Sequence, residues 1–432
     1  MWYNQNTIFK IARQGILLEV VYLNIAILAI GNEVLCGKIV DTNGASISRE
    51  IEGLGVKVVH REIVMDDVDD IVLGLMHAYE YADFVITIGG LGPTVDDRTR
   101  EGVARFFNEE LIYDEAIYEN IRQYFSRMMR TTPENNKRQA YKFATGQVLS
   151  NYNGTAPGLR LDKEGKKIFL LPGPPNEIFP MFESEVKPVI KSLIDEEIDT
   201  RSYRLYGIGE SSAEEKILHL FDKYATLSIA PYCNISFIDY VVTAKATDVD
   251  KLEHFEQEFL GILGKNWVGS AEDEINALVV AKLKELGLTI AVAESCTGGM
   301  LASSLIDVAG VSDVFIESFV TYSNESKMKR LGVREATLFQ HGAVSEACVS
   351  EMAQGMKEKT GADVTIAITG IAGPDGGTDE KPVGLVYIGI ALGAKNYVYM
   401  CHFSGNRKKI RIRSCDQALY LLHQLLNNQA KM

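Results

Sequence analysis

The stretch AESCTGG at residues 293–299 follows the apolar run LTIAV and precedes the segment MLASSLI. This pattern predicts a buried strand, a turn of small residues and the start of a helix. The backbone N–H groups of such a turn, at the positive end of a helix dipole, can bind an anion or an oxyanion. Ser295 is therefore a candidate nucleophile. The alternative is an ordinary strand–helix connection in which Ser295 or Thr297 caps the helix.

Two further strand–loop junctions lie downstream of this turn. The run FIESFVTY predicts a strand that ends near Tyr322, and a cap at Ser323 or Asn324 places Lys327 in the first turns of the next helix. The run VTIAIT at residues 364–369 predicts a buried strand that leads into GIAGPDGG, whose glycines let the backbone approach a ligand. The alternative to a functional role is that Tyr322 only closes a strand and that Lys327 is one of several solvated cations on its helix.

A pair of arginines begins the last predicted helix. Arg407 and Arg411 follow the segment FSGN and lie four residues apart, on one face of the helix. Their guanidinium groups and the free N–H groups of the first turn could share a phosphate. The alternative is that they are surface charges.

Six motifs occur in one order over roughly residues 272–430: AESCTGG, FVTYSNESK, HGAVSE, TGIAGPDGG, KPVGLVYIG and FSGNRKKIR. Together they resemble the C-terminal domain of the competence/damage-inducible CinA family, the nicotinamide-nucleotide amidases. The resemblance implies an α/β amidase domain whose catalytic residues are Ser295, Tyr322 and Lys327. It implies substrate contacts from Thr297, Gly298, Gly299, Thr369, Gly370, Gly373, Arg407 and Arg411. Asn406 stands where the family usually has Asp, which bears on the contact that orients Arg407.

The expected reaction converts nicotinamide mononucleotide and water to nicotinic acid mononucleotide and ammonia. Ser295 would attack the carboxamide carbon, and because a neutral serine is a weak nucleophile it needs a base. Lys327 is the expected base, since a lysine in a dry pocket loses pKa and can accept a proton. Tyr322 would orient Lys327 or relay the proton, and the backbone N–H groups around residues 297–299 would form the oxyanion hole. This step needs no metal or other cofactor.

Composition bounds the other classes of function. The 432 residues suggest two to four domains, and a net charge of −14 argues against a general nucleic-acid binder. Six scattered cysteines without metal-ligand spacing are typical of reduced residues in a cytoplasmic protein. The apolar run at residues 16–30 is too short and too interrupted, by Glu19 and Asn24, to predict a membrane span. Residues 1–22 are interpreted as an extension of uncertain role.

Alternating strand and helix patterns between residues 25 and 88 predict a parallel α/β sheet. Ligands of such sheets bind at the carboxyl ends of the strands, where four informative loops are expected. These loops are GNEVL, GGLGPTVDDRT, NGTAPG and LPGPPNE. Their glycines let the backbone approach phosphates, and their carboxylates can hold a hard cation. For any one loop, a tight turn with solvated acids is the alternative.

The four loops resemble the N-terminal domain of the same CinA family over roughly residues 24–195. That domain shares the molybdopterin-binding fold, and in some members it cleaves ADP-ribose pyrophosphate with a divalent metal. The resemblance implies a polar site with Gly90, Gly92, Asp97, Thr99 and Asn153. It implies metal ligation by Glu33, Asp96 and Asp97. Asn32 and Ile88 stand where the family usually has Asp and Thr, and Asn32 lacks a charge that would help to hold a metal.

Residues 197–269 are predicted to form a small α+β linker domain between a domain at 23–196 and one at 270–432. Its segment GIG at residues 207–209 could belong to a nucleic-acid-binding loop, but no basic cluster accompanies it, which favours a structural role. The expected partners are small nucleotides, with no nucleic acid and no membrane, in a homo-oligomer. Two alternatives stay open: a non-catalytic nucleotide- or cofactor-binding protein connected with DNA uptake, and a molybdopterin-handling N-terminal domain.

Overall fold

The computed structural model describes residues 23–194 and 198–429. The predicted extension at residues 1–22 lies outside the described residues. The chain divides into two compact units, one up to Ile198 and one from Asp199 onward. The predicted linker domain therefore belongs to the same unit as the C-terminal domain.

Within residues 23–194 the first unit has a six-stranded sheet, a separate pair of short strands and seven α-helices. Its strands are β1 (Asn24–Ile30), β2 (Lys57–Val64), β3 (Phe84–Ile88), β4 (Leu111–Tyr113), β5 (Tyr141–Phe143), β6 (Gln147–Leu149), β7 (Gly158–Lys163) and β8 (Lys166–Leu171). Its helices are α1 (Asn32–Leu35), α2 (Thr42–Gly53), α3 (Val68–Tyr81), α4 (Thr99–Phe106), α5 (Glu115–Arg127), α6 (Pro175–Met181) and α7 (Lys187–Ser192).

The large sheet has the order β2-β1-β3-β8-β7-β6, and β4 and β5 form a separate pair. Neighbours from β2 to β8 run parallel, whereas β7 and β6 are antiparallel additions. Strand β1 is buried because its alternate residues enter two cores, Ala26 and Leu28 under α3 and Ile25 and Ile27 under α2. The predicted parallel α/β domain is confirmed, and the carboxyl ends of β1, β2, β3 and β8 share one edge.

Over residues 198–429 the second unit has two sheets. Its strands are β9 (Ile198–Tyr206), β10 (Ser228–Cys233), β11 (Phe237–Lys245), β12 (Trp267–Gly269), β13 (Ile290–Glu294), β14 (Phe315–Val320), β15 (Val364–Gly370), β16 (Leu385–Leu392) and β17 (Lys395–His402). Its helices are α8 (Glu210–Lys223), α9 (Val249–Leu263), α10 (Ile275–Leu286), α11 (Met300–Ile306), α12 (Asn324–Leu331), α13 (Glu335–His341), α14 (Glu346–Thr360) and α15 (Arg407–Gln429).

The linker segment forms the sheet β10-β11-β9-β12, which packs against α8 and α9 around its own aromatic core. Its α+β class is as predicted. Arg204, only 5% exposed, joins it to the chain that follows. The guanidinium donates to both carboxylate oxygens of Asp239 and to the carbonyls of Ala271 and Asp273. A buried charge paired in this way fixes the position of this sheet within the second unit.

The C-terminal sheet has the order β14-β13-β15-β16-β17. Strand β13 lies parallel to both β14 and β15, while β16 and β17 are antiparallel. Ile290 and Val292 of β13 point into the core with α10 and α15, and Ala291 and Ala293 point into the core with α14. The central position of β13 places the end of this strand, and the turn after it, at the middle of the sheet edge.

No helix in the described ranges is long and apolar enough to cross a membrane.

Candidate active site

Ser295 directly follows β13 and is 8% exposed. Its N–H donates to the carbonyl of Ile368 on β15 at 3.0 Å, so the strand ladder extends one residue beyond Glu294. On the other side, the N–H of Thr321 donates to the carbonyl of Glu294 at 2.8 Å. Pairing on both sides fixes the backbone on which the candidate nucleophile stands.

Lys327 is 1% exposed and reaches the predicted nucleophile. Its Nζ lies 3.0 Å from Ser295 Oγ, 2.8 Å from the carbonyl oxygen of Thr321 and 3.2 Å from that of Tyr322. The helix α12 that carries it begins at the predicted cap, because Ser323 Oγ accepts from the N–H of Ser326 at 3.1 Å. Burial lowers the pKa of Lys327. The structure thus brings Ser295 and Lys327 together.

Tyr322 is placed differently from the expectation. It contacts Lys327 through its backbone carbonyl, while its side chain is 63% exposed and its hydroxyl accepts from Arg407 Nη2 at 3.3 Å. Thr321, its neighbour, is fully buried, and because side chains alternate along extended backbone the phenol points the opposite way. Within the described ranges the phenol makes no hydrogen bond to Lys327 or Ser295, so this geometry does not support the predicted proton relay.

The turn after Ser295 has a cap that the sequence did not reveal. Glu294 is fully buried, and its carboxylate accepts from the N–H groups of Gly299 at 3.0 Å, Leu301 at 3.1 Å and Ala302 at 2.9 Å. The alternative interpretation, in which Ser295 or Thr297 caps the helix, is wrong, because neither side chain accepts a hydrogen bond from the start of α11. A carboxylate at the last strand position before a turn of small residues was the available signal.

This cap changes the predicted oxyanion hole. Gly299 has φ of 91° and its N–H is occupied by Glu294, which removes it from the set of free donors. In the part of the chain that the structure describes, the N–H groups of Thr297 and Gly298 donate to no protein acceptor. Of the three amides predicted to form an oxyanion hole, these two are the ones without a protein acceptor among the described residues.

Arg411 reaches this turn, and Arg407 reaches the loop that follows β15. Arg407 donates to the carbonyl of Gly373 at 2.8 Å, and Arg411 donates to that of Thr297 at 2.6 Å. Asn406 caps their helix, since its Oδ1 accepts from the N–H of Lys409 at 3.0 Å, as an Asp side chain could. Among the described residues neither arginine has a carboxylate partner within ion-pair distance. Two guanidinium groups without a counter-charge suit an anionic ligand.

The remaining predicted substrate contacts are Thr369, Gly370 and Gly373. Thr369 is 1% exposed and its hydroxyl donates to the carbonyl of Ala343 at 2.8 Å, so it supports a neighbouring loop and does not face a ligand. Gly370 needs to be glycine, because a Cβ there would lie 2.7 Å from Val386 Cγ2. Gly373 presents the carbonyl that binds Arg407.

The first unit contains a cavity of about 510 Å³ at the carboxyl ends of its parallel strands. The predicted residues that line it are Glu33, Gly90, Gly92, Asp96 and Asp97. Two further predicted residues have their polar groups engaged within the protein. The fully buried Thr99 donates to the carbonyl of Gly89 at 2.8 Å, and the Asn153 amide donates to that of Asn176 at 2.8 Å. Both therefore hold loops in place.

Two carboxylates of this cavity were not among the predicted site residues. Asp66 and Glu177 line the cavity, and Asp66 accepts from the N–H of Asn32 at 2.8 Å. Burial raises the pKa of Asp66, and the nearby Glu33 adds to this effect. Burial also raises the pKa of Glu177. The position of Asp66 two residues after β2, at the same sheet edge as the other loops, was the missed signal.

The expected metal cluster is not assembled. Glu33, Asp96 and Asp97 line the cavity, but over residues 23–194 and 198–429 no three His, Cys, Asp or Glu side chains lie close enough together to hold a metal ion. Asp97 is instead engaged by Thr94, whose N–H and hydroxyl donate to one carboxylate oxygen at 2.8 and 2.6 Å. As placed, these residues do not fit a bound divalent ion.

Fold and site define a protein with a molybdopterin-binding-type α/β domain and a C-terminal domain that carries a buried Ser–Lys pair. Three domain families match the chain: the probable molybdopterin binding domain over residues 26–192, the damage-inducible protein CinA KH domain over 200–266 and the CinA C-terminal domain over 272–426. The chain belongs to the competence-damage inducible protein family, CinA. The family assignment made from the motifs is confirmed.

Two relatives of similar length support this membership. A competence-damage inducible protein of Clostridium botulinum (strain Loch Maree / Type A3) is 41% identical over 404 residues, which covers 93% of this chain and 99% of the relative. One from Clostridium beijerinckii is 42% identical over 404 residues, with 93% and 98% coverage. A solved CinA superfamily protein from Escherichia coli is 39% identical and covers 37% of this chain and 94% of that chain, with a TM-score of 0.35.

Proposed function

We propose that the C-terminal domain is an amidase that hydrolyses the carboxamide of nicotinamide mononucleotide to nicotinic acid mononucleotide and ammonia. The observation that carries the proposal is the 3.0 Å separation between Lys327 Nζ and Ser295 Oγ, with the lysine 1% exposed. An amine and a hydroxyl at this distance, away from water, form the nucleophile–base pair that acyl transfer requires.

The surroundings of Lys327 favour its role as a base. A neutral amine has two N–H donors and one lone pair, and the carbonyls of Thr321 and Tyr322 can accept from both donors. The lone pair is then left for the hydroxyl proton of Ser295. Burial lowers the pKa of Lys327, which increases the fraction of neutral amine at a given pH.

The proposed reaction has two stages. Ser295 Oγ attacks the carboxamide carbon as its proton passes to Lys327, and the new oxyanion accepts hydrogen bonds from the amides of Thr297 and Gly298. The C–N bond then breaks, and Lys327 gives the proton to the departing ammonia. A water molecule, deprotonated by Lys327, hydrolyses the ester on Ser295 and releases the carboxylate.

The arginines support a phosphorylated substrate. Arg411 donates to the Thr297 carbonyl in the Ser295 turn, and Arg407 donates to the Gly373 carbonyl and the Tyr322 hydroxyl. Among the described residues, the hydrogen-bond partners of both arginines are neutral oxygens. A phosphate held there would complete their hydrogen bonding with charged acceptors, which are stronger than neutral ones. This would place the phosphate of a mononucleotide beside the turn that receives its carboxamide.

The N-terminal cavity supports a second proposal, the binding of a nucleotide or a pterin phosphate. Backbone at Gly90 and Gly92 lines it, which permits close approach of a phosphate. Its carboxylates would repel a bare pyrophosphate, so the expected ADP-ribose pyrophosphatase activity depends on a cation that these side chains do not hold as placed. ADP-ribose cleavage by this domain is therefore a proposal, and turnover of ADP-ribose measured during a divalent-metal titration tests it.

A substrate panel tests the amidase. Purified protein is incubated with nicotinamide mononucleotide, nicotinamide riboside or nicotinamide, with and without a chelator, and ammonia is measured. The proposal predicts release from the mononucleotide that does not depend on metal. Absence of ammonia from all three compounds would favour the non-catalytic binding protein instead.

A further inference from the structure

We propose that Glu294 is a positioning residue for Ser295, which holds the catalytic turn in the shape that leaves the amides of Thr297 and Gly298 free for the oxyanion. The inference rests on the amidase proposed above. It assigns a role to a fully buried carboxylate that takes no part in the proposed proton transfers.

The environment of Glu294 sets it apart from a salt-bridged carboxylate. It is the last residue of β13, between Val320 of β14 and Ile368 of β15, and it is fully buried. Within the described residues no Lys, Arg or His lies within ion-pair distance of it. A buried charge without compensation is costly, so the three N–H donors at Gly299, Leu301 and Ala302 are its compensation.

These hydrogen bonds close the turn into a ring. The side chain of Glu294 bridges from the strand end to Gly299, and the four residues between them include Ser295. Ser295 itself is held from the outside by the carbonyl of Ile368. Both ends of the turn are therefore fixed, and the position of Ser295 Oγ relative to Lys327 depends on the ring staying closed.

The same hydrogen bonds decide where an oxyanion can bind. The amides of Leu301 and Ala302, in the first turn of α11, are occupied by this carboxylate and are not available to an oxyanion. Thr297 and Gly298 lie inside the ring, and their amides are spared. Loss of Glu294 would release the helix start and let the turn relax, which would misplace both the nucleophile and the oxyanion donors.

Three variants separate positioning from general stability. Glu294→Gln keeps the size of the side chain, but its NH₂ group would face amide donors that need an acceptor. Glu294→Asp keeps a carboxylate on a shorter stem, so it should rescue part of the effect. Glu325→Gln is the matched control, because Glu325 is an exposed carboxylate in the first turn of α12, the helix that carries Lys327.

The rate at which a fluorophosphonate probe labels Ser295 measures the reactivity of the turn without relying on the natural substrate. Ser295 Oγ forms a bond to phosphorus, fluoride leaves, and the serine proton passes to Lys327. The phosphonyl oxygen then occupies the oxyanion position, so the labelling rate reports nucleophile and donors together. Mass spectrometry follows labelling of Ser295, with Ser295→Ala as the blank, while turnover of nicotinamide mononucleotide and its binding are measured in parallel.

We expect Glu294→Gln to slow both labelling and kcat by at least about tenfold while KM and the dissociation constant of the mononucleotide stay within about threefold. Glu294→Asp should fall in between, and Glu325→Gln should match the wild type. Far-UV circular dichroism checks that each variant is folded. If Glu294→Gln is unfolded, the labelling rate of Glu294→Asp relative to the wild type decides whether Glu294 positions Ser295.

Equal labelling rates in the wild type and a folded Glu294 variant would overturn the positioning role. A loss confined to binding of the mononucleotide would overturn it as well. Wild-type protein that labels at Ser295 but releases no ammonia would instead overturn the proposed substrate, and the comparison of labelling rates would still decide the role of Glu294.

Discussion

At the scale of single residues, Lys327 occupies a site that suits a neutral amine. It is 1% exposed, and its Nζ meets two carbonyls and the Ser295 hydroxyl. Burial lowers its pKa. Because only the neutral amine can accept the proton of Ser295, the rate of the reaction should follow the titration of this residue.

The pH dependence of kcat/KM follows from this direction of shift. The fraction of neutral Lys327 increases with pH, so kcat/KM should rise with pH and level off above its lowered pKa, which lies below the 10.5 of an ordinary lysine. Lys327→Met should lower kcat by about 10²- to 10⁴-fold and abolish this rise. A pH–rate profile of both proteins is the measurement. A variant that keeps the rising limb would place the base elsewhere.

Tyr322→Phe should have a small effect on kcat, because the phenol contacts Arg407 and lies away from Lys327. The variant removes one hydrogen bond to an arginine at the expected phosphate site, so KM should rise by a few-fold. Steady-state kinetics with nicotinamide mononucleotide separate the two constants. A drop in kcat comparable to that of Lys327→Met would show that the phenol reaches the reacting atoms.

Asn32→Asp tests whether the N-terminal cavity lacks one charge. Asn32 lines the cavity beside Asp66, so Asp at this position would add a carboxylate to a cavity whose residues, as placed, do not fit a divalent ion. If the missing charge is the reason, the variant should gain metal-dependent ADP-ribose cleavage. Turnover of ADP-ribose in a magnesium or manganese titration checks this, with Asp97→Ala as the variant expected to lose whatever cleavage exists. If the wild type and both variants are inactive at saturating metal, a binding role for the cavity becomes the better account.

At the scale of elements, the strand ends were predictable and the directions of side chains beyond them were not. Ser295 and Lys327 could be placed from an apolar run, a turn and a helix cap, since each signal is local in sequence. Glu294 and Thr369 required knowledge of which backbone groups lie opposite them, because one accepts from a helix start and the other donates to the carbonyl of Ala343. The Thr369 contact depends on a segment 26 residues away, and the Glu294 contacts depend on how the turn at residues 295–299 folds back onto the strand end.

Helix α15 is the element expected to recognise phosphate. Arg407→Ala should weaken binding of nicotinamide mononucleotide by about 1.5–3 kcal/mol, one to two orders of magnitude in affinity, because a charge-assisted contact is lost. The nucleoside without phosphate should bind as before. Lys408→Ala is the matched control, an exposed cation in the same helical turn. Calorimetry with both ligands decides, and an equal loss for both would show that Arg407 supports the protein and not the phosphate.

At the scale of the whole molecule, the α/β class and the family membership could be read from the sequence, since they rest on repeated local patterns and on motifs spread along the chain. The long-range contacts between segments could not. The predicted linker domain joins the second unit through buried contacts such as that of Arg204 with Asp239 and with the carbonyls of Ala271 and Asp273, which no local pattern announces. The cavity of the first unit likewise gathers carboxylates from separate loops, including Asp66.

The difference between overall and local charge explains why a net charge of −14 is compatible with a phosphate site. Charge averaged over the chain governs encounters with large polyanions such as nucleic acids. A mononucleotide meets only local groups, and in the described part of the chain Arg407 and Arg411 have neutral oxygens as their hydrogen-bond partners. The overall charge therefore bears on the class of partner and not on the phosphate of a small substrate.

The most direct test of the proposed chemistry is ammonia release from nicotinamide mononucleotide by the wild type and by Ser295→Ala, with the nicotinic acid mononucleotide product measured alongside. In the proposed mechanism Ser295 supplies the attacking oxygen, so its loss should reduce kcat by several orders of magnitude while the variant keeps its fold and still binds the mononucleotide. Turnover by the wild type with near-complete loss in Ser295→Ala is the predicted result. Turnover by a folded Ser295→Ala protein close to that of the wild type would contradict the assignment of Ser295 as the nucleophile.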